Sequence, residues 1–479
     1  MKILCEYYNS GVLQRDESDR CCASVAFTCA RPGALLSIDL HEGDLFTPAG
    51  ESVTADEAGC GSLVPRRLKT GGPYELRIRE EGSDHSVTLK DLYVGDVYLL
   101  AGQSNMAGSG KLSQADPPSE RVRCFGFDDS WKVAHSPLHV FRSAVCPIYR
   151  KFMGVPADPD TRQDNSAFLG VGPGHAFALD LLRRTDVPQG VIAGAVGGSC
   201  LQEWFPPQKD PLAEDANYYT ALLRRFRLSG GRARGLFWFQ GEADTRSERF
   251  ASYWEKTSLL FEAFQRDFAP DGRLFPIVFA QLGVMVHDSR PIGWPSVREQ
   301  QRRLQDWEKR IAFVPTLDLD VLDGLHLSAE AAKETGRRAA AVMEGLILDC
   351  REVLYPDPVE IVSSWDPEIK APTVIVTFRN LQGDLRSSGK KALGFLLHDR
   401  ETLLPLPVLS FTELAGNKAI VHLSRSEYGI EPAEKYLLSY GGSCNVPVNI
   451  TDSAFRPLPG FGPLPIRDGK NNPSVEKEL

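Results

Sequence analysis

Apolar and polar positions change rhythm twice along the 479 residues. Up to about residue 90 the stretches 34–40 and 74–79 alternate apolar with polar side chains, the period of a half-buried strand, with Gly and Pro between them. Residues 86–89 then run into a more continuously apolar segment, 94–101, that also reads as a strand. From about 92 to 350 the texture becomes short unbroken apolar runs, at 190–196, 235–239, 276–282 and 311–317. Strands covered on both faces look like this. Helical spacing lies between them: 175–184 with Phe177, Leu181 and Leu182 on one face, 250–268 with Tyr253, Trp254, Leu260, Phe261, Phe264 and Phe268, and a charge-rich helix over 296–310. Ser328 is placed to cap a helix running to about Ile347. After Cys350 alternation returns at 373–378 and 419–423, with prolines at 356, 358, 367, 372, 405 and 407 suited to connections and edges.

This division predicts a β-rich region over 1–91, an α/β domain over 92–350 and a β-sandwich-like region over 351–465. A disordered tail is expected over 466–479. Strands alternating with helices in the middle part imply a mostly parallel sheet.

Bulk properties narrow the class without naming an activity. Hydrophobic residues make up 42% and charged residues 24%, as in ordinary globular proteins. The net charge of −9 argues against nucleic acid or an anionic membrane as the main partner. No apolar run approaches the ~18 residues that span a bilayer. The first residues, Met1-Lys2-Ile3-Leu4-Cys5-Glu6, lack a signal peptide's apolar core, which leaves two expectations: a cytoplasmic protein, or a secreted or periplasmic one whose leader has been removed. The ten cysteines are scattered, with no Cys-x-x-Cys, and read as reduced thiols. No metal-ligand cluster appears in the sequence, and no cofactor is expected.

The chemistry is concentrated where apolar runs end. Gly102-Gln103-Ser104-Asn105-Met106 follows directly on the 94–101 strand. A serine in such a turn is lifted out of the sheet, beside backbone N–H groups able to hold an oxyanion. Asp323-Gly324-Leu325-His326 supplies an acid and a base three residues apart. Asp-Gly is also a strong turn signal, and such a turn would itself aim the histidine. Serine, aspartate and histidine together suggest a triad. Two further clusters follow strands: Gly197-Gly198-Ser199-Cys200-Leu201-Gln202-Glu203-Trp204, and Trp238-Phe239-Gln240-Gly241-Glu242-Ala243-Asp244. Ligand crevices of open α/β sheets form at such strand ends. Glu242 and Asp244 also suit a helix start, and as a glycosidase pair they rank below the serine constellation. His175 is a rival base, ranked below His326 because no carboxylate lies at comparable spacing.

These blocks, in this order, resemble the sialate O-acetylesterase-like branch of the SGNH hydrolases, which are also grouped with the acetyl carbohydrate esterases. The resemblance spans about 92–350. It implies an SGNH-type three-layer sandwich with a mostly parallel sheet, flanked by β-rich domains. It implies Ser104 as nucleophile, His326 as general base and Asp323 as its orienter. The N–H groups of Ser104 and Gly198 and the side chain of Gln240 would form the oxyanion hole, with Glu242 behind them. Ala107 departs from the glutamate that members often carry there. The expected substrate is an acetylated sugar or glycan, sialic acid among the candidates; Trp204, Trp294 and Arg246 are candidates to stack on or bond it, beside core packing as the commoner fate of a tryptophan. The competing readings are a non-catalytic glycan-binding protein and an SGNH esterase acting on other acyl esters.

Overall fold

The structure is a computed structural model that describes residues 8–29, 31–43, 45–152, 170–207, 217–269, 272, 275–287, 290–350, 353–424 and 435–469. Residues 470–479, most of the expected tail, lie outside the described residues. The chain forms two compact units: Met1–Gln240 with Leu259–Val278 and Ser328–Glu344, and Gly241–Ser258 with Phe279–Leu327 and Gly345–Leu479.

The first unit is organised by one strand, Ser86–Gly102, 17 residues long. Its early part pairs antiparallel with Gly71–Glu80, which pairs in turn with Leu35–Glu42. Val12–Gln14 joins it in parallel at Tyr93, Val94 and Gly95. Its later part pairs in parallel with Gln189–Ala193 on one side and Gly235–Phe239 on the other. Val122–Phe125 extends the parallel array, and Trp131–Val133 closes that edge antiparallel. The result is an α/β fold with a mixed, mostly parallel central sheet and β-rich flanking regions, as the alternation of runs implies. The strand's last eleven residues, 92–102, are all buried, as a strand covered on both faces must be.

Helices supply that cover. Pro173–Thr185 packs Phe177 edge-on against Tyr98, ring centroids 5.2 Å apart, and against Phe237. Tyr218–Leu228 starts at Asn217, whose Oδ1 accepts the Thr220 N–H at 3.0 Å. Phe264 and Phe268 pack on Tyr219 and Phe226. The helix Ala329–Ile347 begins where expected, and Ser328 Oγ accepts the Ala331 N–H at 3.2 Å. A separate core, including Val25, Phe27, Leu36, Ile38, Leu76, Ile78 and Leu89, fills the β region that precedes the parallel strands.

The second unit contains the helix Gly293–Leu304 and two antiparallel four-stranded sheets. Val374, Val376 and Val421 of one sheet share a core with Leu397, Leu438, Tyr440 and Phe461 of the other. The helix begins three residues earlier than the expected 296 and stops six short of 310. Pro295 is accommodated because the first turn needs no N–H from it. At the far end, Arg310 has a left-handed φ of 64° that no α-helix continues through. The expected helix over 250–268 begins at Tyr253 and follows a 3-10 stretch, Ser247–Ser252. Among the described residues no helix is long and apolar enough to cross a membrane.

Two buried histidines of the first unit are held neutral. Burial, reinforced by the nearby Arg225 cation, pushes His139 down to about 3. Burial pushes His175 down to about 4, which a rival general base at neutral pH would not favour. Because the folded values lie below the ordinary 6.5, the unfolded chain binds more protons as pH falls. Their contribution to stability is therefore complete above pH ~6.5 and is lost as pH drops towards the folded values. We expect a loss on the order of 2 kcal/mol per histidine between pH ~6.5 and ~5. Thermal unfolding of His139→Phe across that window should show a shallower pH slope than the parent; an unchanged slope would contradict the assignment.

Candidate active site

Three chain segments of the first unit meet around Ser104. The long strand ends at Gly102, whose φ of 128° suits glycine alone. A Cβ there would lie 2.1 Å from the Phe239 carbonyl oxygen. That close approach lets Gln103 N–H donate to Phe239 O at 2.8 Å, while Val196 N–H donates to Gly102 O at 2.9 Å. Ser104 then opens a single helical turn, Ser104–Ala107, in which Ala107 N–H donates to Gln103 O at 2.9 Å. Ser104 is 5% exposed.

Ser199 holds the second segment. Its hydroxyl donates to Val196 O at 2.8 Å and accepts Trp204 Nε1–H at 2.9 Å. Its carbonyl accepts the Gln240 side-chain amide at 3.2 Å. Gly198, the residue before it, is exposed, with open space where a Cβ would stand. The sequence singles out neither Ser199's hydroxyl nor its carbonyl, because the partners lie on different strands. Gln240 itself is fully buried. Ser104, Gly198 and Gln240 thus sit on three neighbouring segments of one unit.

Asp323 and His326 belong to the second unit, as does the buried Glu242. The acid and base form a closed loop. Asp323 Oδ2 meets His326 Nδ1 at 2.8 Å. Asp323 Oδ1 accepts the backbone N–H groups of His326 at 2.8 Å and Leu325 at 3.1 Å. Leu322 N–H donates to His326 O at 2.6 Å, and Gly324 carries the turn at φ 86°. The turn and the acid–base pair are therefore the same object. Partial burial works against ionisation of Asp323, but the two N–H groups and the imidazole outweigh it and hold the carboxyl below its ordinary range. Arg290 Nη1 donates to Glu242 O at 3.0 Å and to Thr245 Oγ1 at 2.8 Å, anchoring the segment that follows Gln240.

The expectation of exposed sugar-contacting tryptophans is corrected here. Trp204 is 0% and Trp294 1% exposed. Each spends its indole N–H internally, Trp204 on Ser199 and Trp294 on Gly283 O at 2.9 Å. Large aromatic area favours the core unless something else holds it out. Arg246 is exposed.

The mostly parallel central sheet, with Ser104 at the end of its long strand, is an α/β architecture with β-rich flanking regions. Residues 94–344, just over half of the chain, match the model of a carbohydrate esterase family described as sialic acid-specific acetylesterase. The chain belongs to that family. A probable carbohydrate esterase of Arabidopsis thaliana is 26% identical over 282 residues, which cover 53% of this chain and 92% of that one. Sialate O-acetylesterase of Mus musculus is 20% identical over 355 residues, covering 61% of this chain and 62% of that protein. A crystal structure of a carbohydrate acetylesterase from Xanthomonas citri shares the fold with a TM-score of 0.71 at 18% identity, over 96% of this chain and 98% of that one.

The approach at Gly102 gives a direct test. Gly102→Ala forces a Cβ against Phe239 O and a side chain into an unfavourable backbone region. A loss of about 3 kcal/mol or more is expected, read as a lower urea midpoint. A variant as stable as the parent would contradict the close approach.

Proposed function

We propose that this protein is a serine esterase that removes O-acetyl groups from a carbohydrate, with an acetylated sialic acid or another acetylated glycan as substrate. One observation carries the reading: one oxygen of Asp323 rests on His326 Nδ1 while the other holds the loop's own N–H groups. With Nδ1 committed to the carboxylate, Nε2 is the nitrogen that performs base chemistry.

In this mechanism His326 Nε2 takes the Ser104 proton as Oγ attacks the acetyl carbonyl. The oxyanion that forms is stabilised by the Ser104 and Gly198 N–H groups and the Gln240 amide. The tetrahedral intermediate collapses, the C–O bond to the sugar breaks, and the imidazolium returns its proton to the departing sugar oxygen. Water, deprotonated by His326, then attacks the acetyl-enzyme, and Ser104 leaves with the proton as acetate is released. Glu242 is assigned a supporting place behind Gln240. The family membership and the carbohydrate esterase relative favour this reading over lipid or other acyl esters.

A fluorophosphonate probe should label the parent protein and fail to label Ser104→Ala; labelling that survives the substitution would remove Ser104 from the mechanism. Gln240→Ala should lower kcat for p-nitrophenyl acetate by about 10²–10³-fold, with an unchanged circular dichroism spectrum. Full activity in that variant would show that Gln240 does not bind the oxyanion.

A further inference from the structure

The second unit holds a cavity of ≈ 500 Å³ that none of the proposed chemistry uses. Its size falls within the range of small-ligand sites. Trp254 and Phe250 line one side, Ile292 and Leu403 others, with Glu255 and Arg303 also on its wall. Trp131, Trp204, Trp238 and Trp294 are all under 5% exposed. Trp254, like Trp307, is only partly buried, and Trp365 is 53% exposed; of these three Trp254 alone lines the cavity, and among the described residues its indole makes no ring contact and no hydrogen bond. The side chains of Glu255 and Arg303 are exposed and likewise make no hydrogen bond or ion pair among the described residues.

The frame around these groups is internally satisfied. Gln300 Oε1 accepts Trp254 N–H at 2.8 Å, and its Nε2 donates to Phe250 O at 2.6 Å. Glu299 is taken up by Arg302 and by Gly462 N–H at 2.9 Å. Leu403 is held at a left-handed φ of 60°, costly for a branched side chain, by its N–H to Asp399 O at 2.9 Å and by His398 Nδ1 on its carbonyl at 3.0 Å. That strained turn leaves its side chain 38% exposed on the cavity wall. A rigid wall with an uncommitted aromatic face and two uncommitted polar groups is arranged for a ligand rather than for packing.

We propose that this cavity is a saccharide-binding site for neutral pyranose units. The C–H face of a pyranose matches the indole of Trp254. The carboxylate of Glu255 and the guanidinium of Arg303 can each bridge neighbouring hydroxyls, and their opposite charges favour a neutral ring over an anionic one. An acyl chain would leave both charged groups without partners. The site does not rest on the esterase reading, because a saccharide binds there whether or not Ser104 is acylated.

The test uses the full chain with xylohexaose and cellohexaose, which carry no acetyl groups, followed by calorimetry and tryptophan fluorescence. Saturable binding of at least one is expected, both in the parent and in Ser104→Ala. Trp254→Ala should weaken it about tenfold or more, Trp254→Phe less so, and Glu255→Gln with Arg303→Ala should weaken it without changing the melting temperature. p-Nitrophenyl acetate hydrolysis should be unchanged in Trp254→Phe and Arg303→Ala. Failure of both hexasaccharides to bind, binding indifferent to all these substitutions, or binding confined to sialyllactose would each overturn the proposal. Hexasaccharide binding by a parent protein without esterase activity would support the site and sink the esterase reading instead.

Discussion

The first unit depends on a single strand serving two sheets' worth of partners. Ser86–Gly102 leaves its antiparallel neighbours and continues without a break between two parallel ones. Its end is constrained by the backbone contact at Gly102, where there is no room for a side chain against Phe239. Because a packed sheet cannot shift one strand without shifting its neighbours, that contact sets the height at which Ser104 emerges. The Gln103–Phe239 and Val196–Gly102 hydrogen bonds then hold the three segments together. Ser199 adds side-chain and carbonyl ties from the middle segment.

Buried arginines do comparable work where backbone carbonyls would otherwise lack donors. In the first unit Arg225 is 0% exposed and donates to the carbonyls of Phe125, Gly126 and Ala193, at the ends of two parallel strands. Its charge is met by Asp129, which also takes Arg224 at 2.7 Å. In the second unit Arg298 has no carboxylate partner among the described residues. Its guanidinium donates instead to the carbonyls of Leu282, Gly283, Gly441 and Ser443. Burial brings it down to about 10, still far above neutrality, so it remains a cation solvated by peptide dipoles. One side chain thereby joins the helix Gly293–Leu304 to the loop after Tyr440.

The acid–base loop was the most legible part of the candidate site. Asp323, Gly324 and His326 are close in sequence, so the turn and the carboxylate–imidazole contact arise from the same short segment. The helix start at Ser328 was legible for the same reason. The helix expected over 296–310 was less so: charge and spacing persist beyond Leu304, but the helix ends there and Arg310 at the end of the stretch is left-handed. Nor does a tryptophan's sequence context report its exposure. Trp204 and Trp294 look like candidates for sugar contact yet are buried, while Trp254, which helical spacing alone assigns to a packed face, lines a cavity.

The residues alone determined the succession of strands and helices, the serine at a strand's end, and the closed Asp323–His326 turn. Periodicity, capping and turn chemistry act over a few residues and leave their mark in the chain itself. Only the tertiary structure decided how closely Gly102 approaches Phe239, that Ser199 joins neighbouring segments, that the Arg298 guanidinium is met by carbonyls, and which tryptophans stay uncovered. Each of these depends on residues far apart in sequence competing for the same space and the same hydrogen bonds, and that competition is resolved only when the elements pack.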